Sequence, residues 1–382
     1  MTFLNSHISI LTSQMTSSDR PHLIEMIRTE QREYDDRKRK AGVYGVADRE
    51  PGRNLFKLHS ANKWLEMEQN TPMPKMLFGE FWYEGELCIL FADTNAGKSV
   101  LAVQIGNALA RKEQIYTFPI EADKPNVVYL DFELSGKQFQ SRYSENQLLY
   151  QFEKNFYRAE YNAGADMPFD FKTFDDYMNS AIEYTIKKTQ ANVLIIDNIT
   201  SLRRGTEQAH QALPLMKHLK ALKTKYNLSI LVLAHTPKRN AANPITRNDL
   251  QGSKMLINFA DSAFAIGESY RQKGLRYLKQ VKQRNTHEVY GADNVCLCRI
   301  VKPINFLHFE FEGHAPESLH LNRPSYQERQ LLIKQVNDLA AQGLSYRQIS
   351  AKMNIGLATV NRMMNAEKDE GKQGASGSDE IL

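Results

Sequence analysis

The sequence predicts an α/β fold, a mostly parallel sheet with helices on both faces, followed by a small all-α unit. Three observations carry this. From Leu77 onward four short apolar runs alternate with segments of helical period, the pattern of strand, crossover helix and parallel strand. A glycine-bearing turn in "FADTNAGKSVLA", residues 91 to 102, joins the first run to a helix. Beyond Asn322 every periodic segment is helical.

Composition supports a globular chain. It has 382 residues, 42% of them hydrophobic and 10% aromatic, enough for one large domain with smaller appendages. The net charge of +5 is compatible with a polyanionic partner and does not demonstrate one. Three cysteines exclude a disulfide framework. Cys296 and Cys298 lie two apart in "NVCLCRI", which reads as a strand, and no second pair of zinc spacing accompanies them, so buried thiols are expected rather than a metal site. The first residues, "MTFLNSHISILTSQM", lack a basic region before a short apolar stretch, and no apolar run approaches the ~18 residues of a membrane span. A soluble, cytoplasmic protein is expected.

Residues 1 to 70 read as a polar helical arm, with charged helix candidates at "HLIEMIRTEQREYDDRKRKA" and "SANKWLEMEQ". Such charge runs are ordinarily solvated faces, and a partner-binding arm is the minor alternative. After "NTPMPK" a domain is expected over residues 71 to 315. Its strands are expected at 86 to 92, 126 to 132, 192 to 198, 228 to 235, 262 to 268, 276 to 283 and 299 to 313. The first four are separated by helices such as "SVLAVQIGNALARK" and "QALPLMKHLKALKTKY"; the later ones follow closely and should add an antiparallel edge. Residues 322 to 366 form the helical unit, and "EKDEGKQGASGSDEIL" should be a disordered tail, residues 367 to 382.

The turn after the first strand matches GxxxxGK[ST], with Ala92 in place of the first glycine. Backbone N–H groups of Asp93, Thr94, Asn95, Ala96, Gly97 and Val100 can line a phosphate cradle there, and Gly97 lets the backbone approach. Lys98 reaches β and γ phosphates, and the Ser99 hydroxyl can ligate magnesium. ATP and Mg2+ are therefore the expected ligands. A second metal ligand is offered by Asp197, which ends the apolar strand "NVLIIDN". In "VVYLDFELS", Asp131 and Glu133 are spaced by two and should project to one face of a strand end beside the turn, where a carboxylate could orient water.

A strand after the phosphate-loop helix that ends in such an acid resembles the RecA-like ATPases, including DnaB-type and RepA-type hexameric helicases. The resemblance implies that Glu133 is the catalytic base, with Asp131 the weaker candidate. "ILVLAHTPK" resembles the sensor strand of that family, which maps γ-phosphate detection to His235. "LKQVKQRN" resembles the DnaB-type segment whose lysine and arginine reach a neighbouring subunit's nucleotide, here Lys282 and Arg284. The likeness covers Leu77 to Gly313 and leaves out the N-terminal arm, where the DnaB-type helical domain is not recognisable. That departure favours a RepA-like or accessory enzyme of a mobile element over a host replicative helicase.

In such ATPases two loops line a central pore. They correspond to "NITSLRRGTEQ" and "TPKRNAANPITRNDLQGSK", with Arg203, Arg204, Lys238, Arg239, Arg247 and Lys254 as candidates for phosphate contacts with single-stranded DNA. Solvated loop charges are the equal alternative. The segment "GLSYRQISAKMNIGLATVNRMM" resembles the helix-turn-helix of site-specific recombinases and small regulators: Ser345 is the N-cap, Ile349, Met353 and Val360 point inward, and the turn lies at Asn354 to Gly356. Thr359, Asn361 and Arg362 would then face duplex DNA; a plain helical hairpin is the alternative. Together these features imply a RecA-like, ATP-hydrolysing DNA motor, helicase or translocase, forming a homo-oligomeric ring expected to be a hexamer. The alternative is an ATP-gated DNA-binding regulator or replication initiator without unwinding activity.

Overall fold

The computed structural model describes residue 29 and residues 56 to 202, 209 to 237, 239 to 250, 254 to 322 and 326 to 373. The chain divides into two units, Met1–Met73 and Pro74–Leu382. In the first, α1 (Ala61–Glu68) is capped by Ser60, whose side chain accepts from the Lys63 N–H, and none of its residues is buried.

The second unit begins with a small hairpin, β1 (Met76–Phe78) and β2 (Trp82–Tyr83). Then come β3 (Leu87–Ala92), α2 (Lys98–Arg111), β4 (Val127–Asp131) and α3 (Gly136–Arg142). A short hairpin, β5 (Ser144–Glu145) and β6 (Leu148–Leu149), precedes β7 (Phe156–Glu160) and α4 (Phe174–Thr189). Next are β8 (Val193–Asp197), α5 (Ile199–Leu202), α6 (Ala209–Tyr226), β9 (Ser229–His235) and α7 (Lys254–Phe259). The sheet finishes with β10 (Ser262–Glu268), β11 (Leu275–Lys282), β12 (Val295–Val301) and β13 (His308–Ala315). Three helices close the described chain: α8 (Tyr326–Ala341), α9 (Tyr346–Met353) and α10 (Leu357–Gln373).

Nine strands form one sheet in the order β13-β12-β11-β10-β3-β9-β8-β4-β7. From β10 to β7 all pairings are parallel, and β11 to β13 extend β10 as an antiparallel edge. The fold class is the predicted one in its architecture, a mostly parallel sheet with helices on both faces. One strand, β9, separates the phosphate-loop strand β3 from β8.

Period-two alternation assigns each central residue to a face. In β3, Cys88, Leu90 and Ala92 enter the core beneath α2, whereas Leu87, Ile89 and Phe91 enter the opposite core with Met178 and Ile182 of α4 and Leu215 and Leu219 of α6. Both faces are covered, so these strands read as unbroken apolar runs. The same parity holds in β8, where Val193 and Ile195 face α2, and in β9, where Leu231 and Leu233 do. Asp197 and His235 continue those odd-numbered series and so emerge on the α2 side, at the carboxyl ends of their strands.

Two expectations about strands change. The run 299 to 313 is two strands, because Pro303 cannot donate to a ladder and the chain reverses between Val301 and His308. The edge strand β7 escaped notice because "FYRAE" is short and half-polar. In the helical unit, Ile333, Val336, Ile349, Val360 and Met363 make a separate small core. Ser345 caps α9 in a capping box with Gln348, and Asn354 ends the helix in the left-handed region at φ 51. Helix α10 runs to Gln373, past the expected boundary at 366, through a stretch rich in Ala, Glu and Lys.

Gly267 pairs with Tyr277 across β10 and β11, and a Cβ there would run into the Tyr277 ring. Gly267→Ala is therefore expected to lower unfolding stability by about 1–3 kcal/mol, the cost of overpacking. Urea titration of the folded chain measures it.

Candidate functional site

Helix α2 starts at Gly97, whose φ of 103 suits glycine, and no side chain caps it. Its first N–H groups are thereby left for an anion. A Cβ at Gly97 would also lie 2.5 Å from Ile300 Cδ1 and 2.8 Å from Phe309 Cζ, so strands β12 and β13 press on the turn from behind. Two hydrogen bonds fasten that contact: Gln104 Nε2 donates to Phe309 O at 2.9 Å, and Phe309 N donates to Gln104 Oε1 at 2.8 Å. Thr94 and Asn95 are exposed at the tip, whereas Ala92, Ala96 and Val100 are buried, leaving only their backbones for a ligand.

Lys98 is only 6% exposed. Its ammonium donates to Ala92 O and Asp93 O, each at 3.0 Å, and lies 3.2 Å from His235 Nδ1. Burial lowers its pKa, while Asp197, Glu133 and Asp93 oppose that shift. Accepting from Lys98 at Nδ1 places the histidine's proton on Nε2. On that side Nε2 lies 3.6 Å from Glu133 Oε1 and 3.3 Å from Asn198 Nδ2. Asn198 Nδ2 in turn donates to Glu133 Oε1. Lys98, His235, Asn198 and Glu133 thus form one polar chain across the ends of β3, β9, β8 and β4.

Asp197 is 1% exposed and accepts from Tyr129 OH at 2.5 Å, with the Ser99 side chain nearby. Burial pushes its pKa up to about 6; Ser99 and Tyr129 oppose that, and Glu133 and Asp131 reinforce it. A hydroxyl and a carboxylate side by side are hard oxygen donors. They fit a magnesium ion that keeps water and phosphate oxygens in its other positions. Among the described residues no three His, Cys, Asp or Glu side chains cluster as an all-protein cage.

The two acids of "LDFE" do not share a face. Strand β4 ends at Asp131, whose Oδ1 accepts from the Glu133 and Leu134 N–H groups at 3.1 and 2.9 Å, turning the chain. Asp131 Oδ2 accepts from Arg158 Nε at 2.8 Å, and the group is buried. Glu133, 38% exposed, is the acid left accessible. The nearby His235 lowers its pKa first, and Asn198 and the Lys98 charge add to that, against desolvation.

The remaining candidates lie elsewhere. Arg284 Nη1 is 3.2 Å from Asp261 Oδ1, and Lys282 Nζ donates to the carbonyls of Ile257, Asn258 and Ala260 at the end of α7. Burial, with Arg284, Arg247 and Lys220 nearby, brings the Lys282 pKa down to about 8 despite Asp261. Arg247 Nε donates to Val281 O, and Arg239 Nη1 to Asn243 O. The Arg239 side chain is 8% exposed, tucked in rather than solvated. Lys254 begins α7. Arg203, Arg204 and Lys238 lie outside the described residues. Thr359 is half-buried on α10, and Asn361 and Arg362 are exposed. Sequence reasoning missed Asn198, which directly follows Asp197, and Tyr129, a hydroxyl in an otherwise apolar buried strand.

Residues 55–241 match a family model described as AAA domain. No curated relative matches the chain. Among solved structures it is similar to a KaiC-like protein from the hyperthermophilic archaeon Pyrococcus horikoshii, at 13% identity and a TM-score of 0.40, covering 63% of this chain and 100% of the other. The family match and the phosphate-loop geometry support a nucleotide-driven ATPase.

Lys98→Ala is expected to abolish triphosphate binding. Glu133→Gln is expected to bind ATP yet turn it over at least ~100-fold more slowly, the range of a general base. Fluorescent-nucleotide titration and phosphate release measure the two, and near-normal turnover in Glu133→Gln would remove the base role from that residue.

Proposed function

We propose that this RecA-like ATPase is a ring-forming motor that moves along or unwinds DNA, serving replication or maintenance of a mobile element. The observation that carries the reading is the position of Arg284. Its partner Asp261 accepts from Leu87 N at 2.9 Å, at the start of β3, while the phosphate loop leaves the end of that strand at Ala92. Six residues of strand span on the order of 17–20 Å. Arg284 therefore cannot reach its own chain's phosphate loop. At 51% exposed, it is accessible to a neighbouring subunit's nucleotide, as a homo-oligomeric ring requires.

Within the site, Glu133 accepts the proton of the attacking water as its oxygen bonds to the γ-phosphorus and the bond to the β-phosphate oxygen breaks, releasing ADP and phosphate. Its ionised state is maintained by His235, Asn198 and Lys98. Lys98 balances charge on the β and γ phosphates, and His235 senses the γ position through its contact with Lys98. Magnesium, held by Ser99 and Asp197, would supply charge neutralisation on the phosphates. Lys282 supports the Arg284 segment. In the pore, Arg203, Arg204, Lys238, Arg247 and Lys254 meet the phosphates of single-stranded DNA, and Arg239 organises its loop.

The exposed Asn361 and Arg362 favour a second activity, duplex reading by the helical unit as a helix-turn-helix. Were that the whole function, the protein would be an ATP-gated regulator or initiator. DNA-stimulated hydrolysis with strand displacement supports the motor, and ATP-gated site-specific binding without either supports the regulator.

Mixing tests the shared site. Arg284→Ala and Glu133→Gln, each inactive alone, should regain turnover when combined, because some interfaces then pair an intact Glu133 with an intact Arg284. Absence of recovery at every ratio, in rings shown to be mixed, would sink the trans assignment.

A further inference from the structure

The side chain of Asp93, the first residue after β3, reaches across to the segment after β9. It accepts from the Thr236 hydroxyl, and Arg239 Nε lies 3.8 Å from its Oδ2. Thr236 also donates its backbone N–H to Ala92 O at 3.1 Å. The phosphate loop is thus hydrogen-bonded to the first residue after β9, where the loop that runs to Leu250 departs.

The other end of that loop is fixed. Ile245 N donates to Glu317 Oε1 at 2.7 Å, and Ile245 O accepts from Lys279 Nζ at 2.8 Å. Lys279 and Glu317 are themselves a buried ion pair at 2.5 Å, with side chains 8% and 1% exposed. Tyr277 OH joins them, 3.2 Å from Glu317 Oε1. Arg239 Nη1 holds Asn243 O at 3.0 Å. One guanidinium therefore spans the phosphate loop's carboxylate and the middle of the following loop. At 3.8 Å its contact with Asp93 is about 1 Å longer than a direct charge-assisted hydrogen bond.

We propose that Asp93 is a positioning residue that couples occupancy of the phosphate loop to the conformation of residues 236 to 245 through Thr236 and Arg239. A triphosphate on the α2 N-terminus brings negative charge beside the Asp93 carboxylate. Added negative charge on the loop strengthens its attraction for the nearest guanidinium, so occupancy favours closing the gap to Arg239. Ile245 is anchored, so the movement falls on residues between 237 and 244. This deepens the motor reading, since that loop is the one assigned to DNA, but the coupling itself needs only a triphosphate on the phosphate loop.

The test is amide hydrogen exchange of the full chain, with and without adenylyl imidodiphosphate and magnesium. In the natural chain the analogue should slow exchange in 236 to 245 by about fivefold or more, the lower range of allosteric couplings. Thr236→Val, nearly isosteric and outside the catalytic groups, should keep analogue affinity and basal turnover while losing most of that change. Arg239→Gln should lose it too, and Asp93→Asn combined with either should add little, the mark of one shared path. An unchanged loop in the natural chain with analogue bound, or a full response in both single variants, overturns the proposal. Failure of the motor reading looks different: the loop responds to the analogue, but single-stranded DNA leaves turnover unchanged.

Discussion

A lysine ammonium sits almost wholly below the surface at the first turn of a helix, and the strand ends around it are what keep it there. Water cannot solvate Lys98, so carbonyls of the loop and a histidine nitrogen must. That requirement fixes the loop's path, because Ala92 O and Asp93 O can both face the ammonium only if the chain curls over it before entering α2. It also fixes the histidine tautomer, and through it the side of the ring presented to Glu133. The arrangement is a balance: burial works against the charge, and three nearby carboxylates work for it.

Much of this was legible because the sheet is covered on both faces. Apolar runs with no polar alternation mark central parallel strands, and in the structure the parity of β8 and β9 carries Asp197 and His235 to the α2 side. The phosphate loop was legible because few residues tolerate its backbone: at Gly97 both the positive φ and the neighbours Ile300 and Phe309 exclude a side chain. Only the first reason is local. The second depends on strands two hundred residues away, which no spacing in the motif announces.

What escaped reading is equally specific. Spacing by two predicts a shared face only while the strand continues, and Asp131 ends β4 by capping the next N–H groups. Its burial against Arg158 belongs to β7, an edge strand too short and polar to be recognised. Likewise Asn198 reads as one more polar residue after an acid until the chain brings it against Glu133. Loop cations mislead in the opposite direction. Arg239 looks like a solvated charge, yet it is tucked in beside Asp93 and bonded to Asn243 O.

The two ends of β3 divide the chemistry. At its carboxyl end stand the phosphate loop and the strand-end acids; at its amino end Asp261 gathers Leu87 N, Lys223 and Arg284. A carboxylate bonded in this way stays ionised: hydrogen bonds from Leu87 and Lys223 and the surrounding cations outweigh its burial, so its pKa falls. Lys282 alongside is tied to three helix-terminal carbonyls, at the negative end of α7. The cationic segment is therefore braced by its own chain while its guanidinium stays exposed. Bracing of this kind suits a group presented outward at fixed geometry, which is what the proposed shared site asks of Arg284.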